Sequence, residues 1–224
     1  MTIKAFLFDL DGTLLDTALD FVAIINSMRQ QRGMAPADPE AIRRQASSGA
    51  RAMLCSGLGL SADSDSLDQA TEEFLRRYRT HCARLTSPFP GIVELLELIE
   101  REQLHWGVAT NKPRHFSELI LQQLGLMPRL ATLVCPEQVQ QAKPAPDMLL
   151  LACRQIDIDP AEAIYIGDDL RDIQAARQAG MRSIAVGYGY HPASEQPERW
   201  GADYYVADSS ELVSLAKSLL SLQE

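Results

Sequence analysis

Asp9 and Asp11 stand one residue apart in FLFDLDGTLLDT (residues 6–17), at the end of an apolar run and directly before Gly12. Like charges at that spacing repel, and stability alone gives no reason to place them there. The repulsion is tolerable if a cation lies between the groups, or if one carboxyl spends part of its time protonated. Both conditions suit chemistry. A carboxylate nucleophile splits one hard displacement into two easier ones, and an acid/base neighbour must be neutral in one half-reaction and charged in the next. Taken alone, a DxDG stretch is also an ordinary polar turn with a helix N-cap. Three further polar clusters weigh against that: Thr110 with Asn111 in VATNK, Lys143 in AKPAPD, and Asp168, Asp169 and Asp172 in IGDDLRD.

Some framework must bring the four clusters together. Short apolar runs recur as AFLF (5–8), WGVAT (106–110), TLVC (132–135), AIYIG (163–167), SIAVG (183–187) and YYVA (204–207). None alternates cleanly, which is the pattern of strands buried on both faces in a parallel sheet. Helical patterns lie between them, and Gly125 and Gly180 can stop two of these helices. In the last one, Asp208 and Glu211 fit a capping box, with Leu212, Leu215, Leu219 and Leu222 on one stripe. The alternation predicts an α/β fold, a doubly wound, Rossmann-like parallel sheet, and each polar cluster falls where a strand ends. From about Thr17 to Leu85 only helical patterns occur. The expected organisation is therefore an α/β core of residues 1–16 and 86–224 with an all-helical cap, 17–85, inserted where such folds bind ligands. Asp16 is expected to cap the first cap helix or to sit at its start.

The bulk numbers limit what such a site handles. The chain has 224 residues, 46% hydrophobic and 23% charged, with net charge -9. It has no basic block, so it is expected to bind neither nucleic acid nor membrane. An anionic substrate then requires a local positive site, such as a metal with one or two Lys or Arg. Cys55, Cys82, Cys135 and Cys153 are scattered and read as reduced thiols, and the scattered histidines give no zinc pattern. The N-terminus lacks signal-peptide features and no apolar run approaches a membrane span, so a cytoplasmic protein is expected.

DLDGTLLDT, VATNK, KPAPD and GDDLRDIQAARQAG, in this order, resemble the four motifs of the haloacid dehalogenase superfamily. The helical insertion resembles that superfamily's small α-helical cap, and the likeness covers essentially the whole chain. The resemblance implies a phosphomonoester hydrolase in which Asp9 attacks phosphorus and becomes an aspartyl phosphate. Asp11 would protonate the leaving oxygen and then deprotonate the hydrolytic water. It also implies that Thr110 and Lys143 contact the transferring phosphoryl group, whose charge must be met electrostatically. Lys143 precedes Pro144, which disfavours helix there and puts the lysine on a loop able to reach inward. Asn111 either donates to the phosphate or caps the next helix. Asp9, Asp168 and the backbone carbonyl of Asp11 are the expected metal ligands. Magnesium is the cation this oxygen set suits, with Asp172 behind them holding a metal-bound water or Lys143.

The cap should select the substrate, a small phosphorylated metabolite. In ASSGARAML (46–54), Arg51 is expected either to pair with a substrate anion or to be a surface residue opening a helix, with Ser47 and Ser48 bonding polar substrate groups. The loop GYGYHPAS (187–194) is a second candidate surface, or a site of packing tyrosines. Within the superfamily the chain looks like the phosphoglycolate phosphatase-like branch, which includes the N-acetylmuramic acid 6-phosphate phosphatases of cell-wall recycling. SSGAR replaces the Gly-rich cap loop common in phosphoglycolate enzymes, and the overall wording resembles the muramic acid branch more. Phosphoglycolate hydrolysis, a phosphosugar mutase and a receiver-like phosphorylated switch are the alternatives. Asp11 weighs against the last, because a stable phosphoprotein has no use for an adjacent base. A monomer or homodimer is expected.

Overall fold

The computed structural model describes residues 2–222. β1 (Ala5–Phe8) is buried at all four positions and lies at the centre of the sheet. The chain then makes a two-residue strand β2 (Leu15–Asp16), and α1 (Ala18–Gln31), α2 (Pro39–Arg43), α3 (Ala50–Leu58) and α4 (Asp65–His81) follow with no strand among them. It returns through β3 (Ser87–Pro88), antiparallel to β2 with Asp16 opposite Ser87. Exit and re-entry are therefore side by side. Strands and helices then alternate as α5 (Ile92–Arg101), β4 (His105–Ala109), α6 (Arg114–Gln123), β5 (Thr132–Val134), α7 (Asp147–Gln155), β6 (Ala163–Gly167), α8 (Leu170–Ala179), β7 (Arg182–Val186), β8 (Tyr204–Val206) and α9 (Glu211–Ser221).

Six strands pair in the order β5-β4-β1-β6-β7-β8, all parallel. Because successive strand residues face opposite sides, Phe6 and Phe8 enter one apolar core while Ala5 and Leu7 enter another. α7 and α8 cover the second face through Met148, Leu149, Ala175 and Ala176. α5 covers the first through Ile92, Leu95, Leu96 and Ile99, the one-sided spacing of an amphipathic helix. The register sets Phe8 level with Val108 and Ile166. Asp9, Thr110 and Asp168 consequently leave three strands at one edge of the sheet.

The four inserted helices pack on one another around Phe21, Phe74 and Tyr78. Buried Asp20 accepts hydrogen bonds from Leu85 N (3.0 Å), Thr86 N (3.1 Å) and Thr86 Oγ1 (2.6 Å), tying the first turn of α1 to the returning chain.

Three local expectations need correction. Asp16 caps no helix: α1 starts after Thr17 without a side-chain cap, and Asp16 instead accepts from Arg43 (2.9 Å) and Tyr190 Oη (2.6 Å). α9 has no Asp208–Glu211 capping box; Asp208 accepts from Ser210 N and Glu211 from Ala207 N. Leu222 lies beyond the helix at 80% exposure, and Ala216 fills the stripe with Leu212 and Leu219. All four cysteines are free. Among the described residues no helix is long and apolar enough to cross a membrane.

Phe6 is fully buried in the central strand, so Phe6→Ala should lower unfolding free energy by about 3–5 kcal/mol in urea titration. A loss under about 1 kcal/mol would contradict this placement.

Candidate active site

Asp9 follows β1, Asp168 follows β6, and Asp172 lies in the first turn of α8. One carboxylate oxygen from each lies within 4.8 Å of the others, and Asp168 and Asp172 are buried. Two glycines make this possible. Gly12 has φ +84°, and a Cβ there would sit 2.2 Å from Asp168 Oδ2; a Cβ on Gly189 would sit 2.2 Å from Asp168 Cβ. Thr13 Oγ1 and Tyr190 N–H each donate to Asp168 at 2.8 Å. Asp169 caps α8 by accepting from Arg171 N (2.9 Å), and Asp172 Oδ2 accepts from Asp169 N (3.0 Å), completing a capping box. One oxygen of Asp172 therefore serves the helix terminus and leaves Oδ1 for the site.

Lys143 fills the space between them. Its Nζ donates to Asp9 Oδ1 (2.8 Å), Asp172 Oδ1 (2.7 Å) and Tyr165 Oη (2.7 Å), using all three ammonium hydrogens. Tyr165 Oη passes a bond on to Ala109 O at 2.6 Å. Asn111 holds the lysine's backbone, accepting from Lys143 N and donating to Lys143 O, both at 3.1 Å. Its amide thus holds the Lys143 backbone rather than capping a helix, and Asn111 also lines the cavity above the site with a second amide hydrogen to donate.

One ammonium against three carboxylates leaves negative charge in excess. Burial, then the charges of Asp9 and Asp172, push the Asp168 carboxyl well above its ordinary value, and burial pushes Asp172 up to about 6 against the pull of Lys143. Burial disfavours the charged lysine, yet Asp172 and Asp9 hold Lys143 above its usual value. A buried, all-oxygen cluster with uncompensated charge fits a hard divalent cation. Asp172 belongs to the same cluster as the expected ligands Asp9 and Asp168.

Asp11 points elsewhere. Both its oxygens accept from Lys112 Nζ, at 3.0 and 3.1 Å. Lys112 is buried beneath two inserted-helix aromatics, with Nζ 5.0 Å from the Phe21 ring centroid and 4.9 Å from that of Tyr78. Sequence reasoning did not single out Lys112; its place in VATNK, two residues after Thr110, was the available signal. Thr110 is buried, and its Oγ1 accepts from Lys112 N at 3.2 Å, which leaves the hydroxyl hydrogen to donate.

A cavity of about 240 Å³ opens above these groups. Asp9, Asp11, Thr110 and Lys143 lie at its floor, and Phe21, Met53, Phe74 and Tyr78 form its roof. Ser47 stands at the cavity, but its hydroxyl is 3.4 Å from Asp168 Oδ2 and its carbonyl accepts from Arg171 at 2.7 Å. Asp169 grips the same guanidinium at 2.9 and 2.7 Å.

Ser48 is exposed and does not line the cavity. Arg51 is also absent from it: the side chain runs along the outside to Asp68 on α4 and donates to Ala62 O (3.0 Å). In the first turn of α3 an acidic partner on the neighbouring helix outcompetes an inward path, so the structure does not support Arg51 as a substrate contact. The 187–194 loop supports the site from behind. Tyr188 Oη donates to Thr13 O (2.8 Å), and buried Tyr190 reaches Asp168 through its backbone and Asp16 through its hydroxyl.

Without a divalent ion, the folded pKa values of Asp168 and Asp172 lie above those of unfolded carboxylates. They therefore favour the folded state below about pH 4; the Asp172 contribution is lost as pH rises through about 6, and the Asp168 contribution is likewise lost as pH rises through its own raised pKa. In chelator, the stability of Asp168→Asn relative to wild type should grow as pH rises above about 4. A flat or falling difference in urea unfolding would contradict the charge excess.

The model for haloacid dehalogenase-like hydrolases matches residues 6–186. The chain is 50% identical over 215 residues to the N-acetylmuramic acid 6-phosphate phosphatase of Pseudomonas aeruginosa, covering 96% of this chain and 95% of that protein. It is 38% identical over 209 residues to the phosphoglycolate phosphatase of Xanthomonas campestris, covering 93% and 94%. A crystal structure of a putative phosphoglycolate phosphatase from Lactobacillus delbrueckii superposes with TM-score 0.81 at 27% identity, over 96% of this chain and 98% of that one. With matching motifs on a matching fold, the chain belongs to the haloacid dehalogenase-like hydrolase family.

Proposed function

We propose that the protein is a magnesium-dependent phosphomonoester hydrolase acting on N-acetylmuramic acid 6-phosphate, with residues 17–85 as its cap and 1–16 with 86–224 as its core. The observation that carries the reaction is the convergence of Asp9, Asp11, Thr110 and Lys143 on one cavity beside the acidic cluster. The substrate rests on the 50% identity across 96% of the chain to an enzyme of that name. The predominantly aromatic and aliphatic roof is compatible with it, since sugar faces pack well on such surfaces.

Asp9 attacks phosphorus with one carboxylate oxygen, forming an O–P bond as the bond to the sugar oxygen breaks. Asp11 gives that oxygen its proton. In the second half-reaction Asp11 takes a proton from water as the water attacks phosphorus, which frees inorganic phosphate and restores Asp9. Lys143 and Thr110 hold the phosphoryl oxygens in line and offset their charge. A magnesium ion held by Asp9 and Asp168, with Asp172 close by, would supply further positive charge to those oxygens. The Lys112 bond orients the Asp11 carboxyl at the cavity floor. The acidic chain, with its substrate drawn from cell-wall recycling, would work in the cytoplasm as a monomer or homodimer. Phosphoglycolate is the second reading, favoured by the 38% identical relative.

With magnesium, the purified protein should release phosphate from N-acetylmuramic acid 6-phosphate with kcat/KM at least about tenfold above that for phosphoglycolate. The reverse order would replace the substrate and keep the reaction. Asp9→Asn should lower kcat by about a thousandfold or more with the fold intact; near-normal turnover would remove Asp9 as nucleophile.

A further inference from the structure

Among the described residues three cations line the cavity, and two of them are committed. Lys143 gives its three ammonium hydrogens to Asp9, Asp172 and Tyr165, and buried Lys112 is held by both oxygens of Asp11. Arg171 is the third, and 38% of its side chain is accessible. A guanidinium has five N–H donors in one plane. Nε and Nη2 close on the two oxygens of Asp169, at 2.9 and 2.7 Å, and the second Nη2 hydrogen goes to Ser47 O at 2.7 Å. Among the described residues nothing accepts from Nη1. Its two hydrogens stand at the corner of the group opposite the edge that Asp169 holds.

The order of strands places that corner. β4 and β6 flank β1, so Lys112 and Phe116 follow β4 on one side of Asp9 and Asp11, and Arg171 follows β6 on the other. Phe116 packs on Tyr78, and Tyr78 on Phe74, with centroids 4.8 and 5.9 Å apart, which gives the cavity an apolar side. Arg171 and Ser47 form a polar side. The bond to Asp169 raises the Arg171 pKa against the opposing effect of burial, and the charges of Asp169, Asp172 and Asp9 add to the rise. The guanidinium therefore stands within electrostatic reach of the nucleophile.

We propose that Arg171 Nη1 receives the carboxylate of the substrate, beside the phosphoryl position and on the side away from Lys112. Asp169 occupies one edge of the guanidinium, so Nη1 offers directed donors, and a cationic donor gains most from an anionic acceptor. The inference rests on the phosphatase reading and names the group by which the site would select within it. Both substrates considered above, N-acetylmuramic acid 6-phosphate and phosphoglycolate, carry a carboxylate besides the phosphate. The cation that Arg51 does not supply from the cap is thus supplied by the core.

The test compares kcat/KM, with magnesium, on N-acetylmuramic acid 6-phosphate and on N-acetylglucosamine 6-phosphate, the same sugar phosphate without the carboxylate. Wild type should prefer the carboxylate-bearing sugar, and Arg171→Gln should cut that preference about tenfold or more, mainly through KM. Losing the Asp169 and Ser47 bonds alone lowers both rates together, so a preference within about twofold of wild type overturns the assignment. Arg171→Lys keeps a cation against Asp169 without the Nη1 corner. Its preference should also fall, and a full wild-type preference overturns the role of Nη1. A wild type that treats the two sugars alike overturns the inference and leaves the phosphatase standing; one that hydrolyses neither removes the sugar substrate and this inference together. A second measurement needs no variant: free N-acetylmuramic acid should inhibit wild type more tightly than N-acetylglucosamine, and equal inhibition overturns the proposal.

Discussion

Three carboxylates held within 4.8 Å of one another, with a single lysine among them, are the constraint around which the rest of the molecule is arranged. Such a cluster opposes folding unless its charge is met, and buried charges are tolerated only with close partners. The surrounding structure supplies those partners piece by piece. Thr13 and the Tyr190 backbone bond Asp168, the α8 capping box fixes Asp172, and Asn111 sets the loop that delivers Lys143. Gly12 and Gly189 leave the room that any side chain would occupy. The remaining negative charge is what a divalent cation or a phosphoryl group with its counter-charge would answer.

The inserted helices cover the cavity from above, and polar groups at its floor and rim hold them. Lys112 joins Asp11 below to Phe21 and Tyr78 above. Arg171, gripped by Asp169 in the α8 cap, reaches the Ser47 carbonyl. Asp16 takes Arg43 of α2 and the Tyr190 hydroxyl, while Tyr190's own backbone supports Asp168. Cap position and carboxylate geometry are therefore linked through Tyr190, with Asp16 two hydrogen bonds and Arg43 three from Asp168.

The sheet was legible in the sequence because buried parallel strands leave continuous apolar runs such as AFLF and AIYIG, each ending in a polar cluster. All six predicted strands form, with boundaries within a residue of those expected. Asp9, Thr110, Lys143 and Asp168 sit together for the same reason: strand ends meet at one edge. The cap was less readable. An arginine opening a helix has inner and outer faces open to it, and only the Asp68 partner decides that Arg51 turns outward. Lys112, Asn111 and Tyr190 owe their roles to partners 101, 32 and 22 positions away in the chain, and local pattern carries no record of such pairs.

The central claim is that the acidic cluster holds a divalent ion which presents Asp9 to phosphorus. A crystal structure grown with magnesium and beryllium fluoride tests it most directly, since beryllofluoride imitates a phosphoryl group on a carboxylate. The account predicts beryllium bonded to an Asp9 oxygen and an ion touching both Asp9 and Asp168. Beryllofluoride attached to any other side chain, or an ion bound away from Asp168, would contradict it.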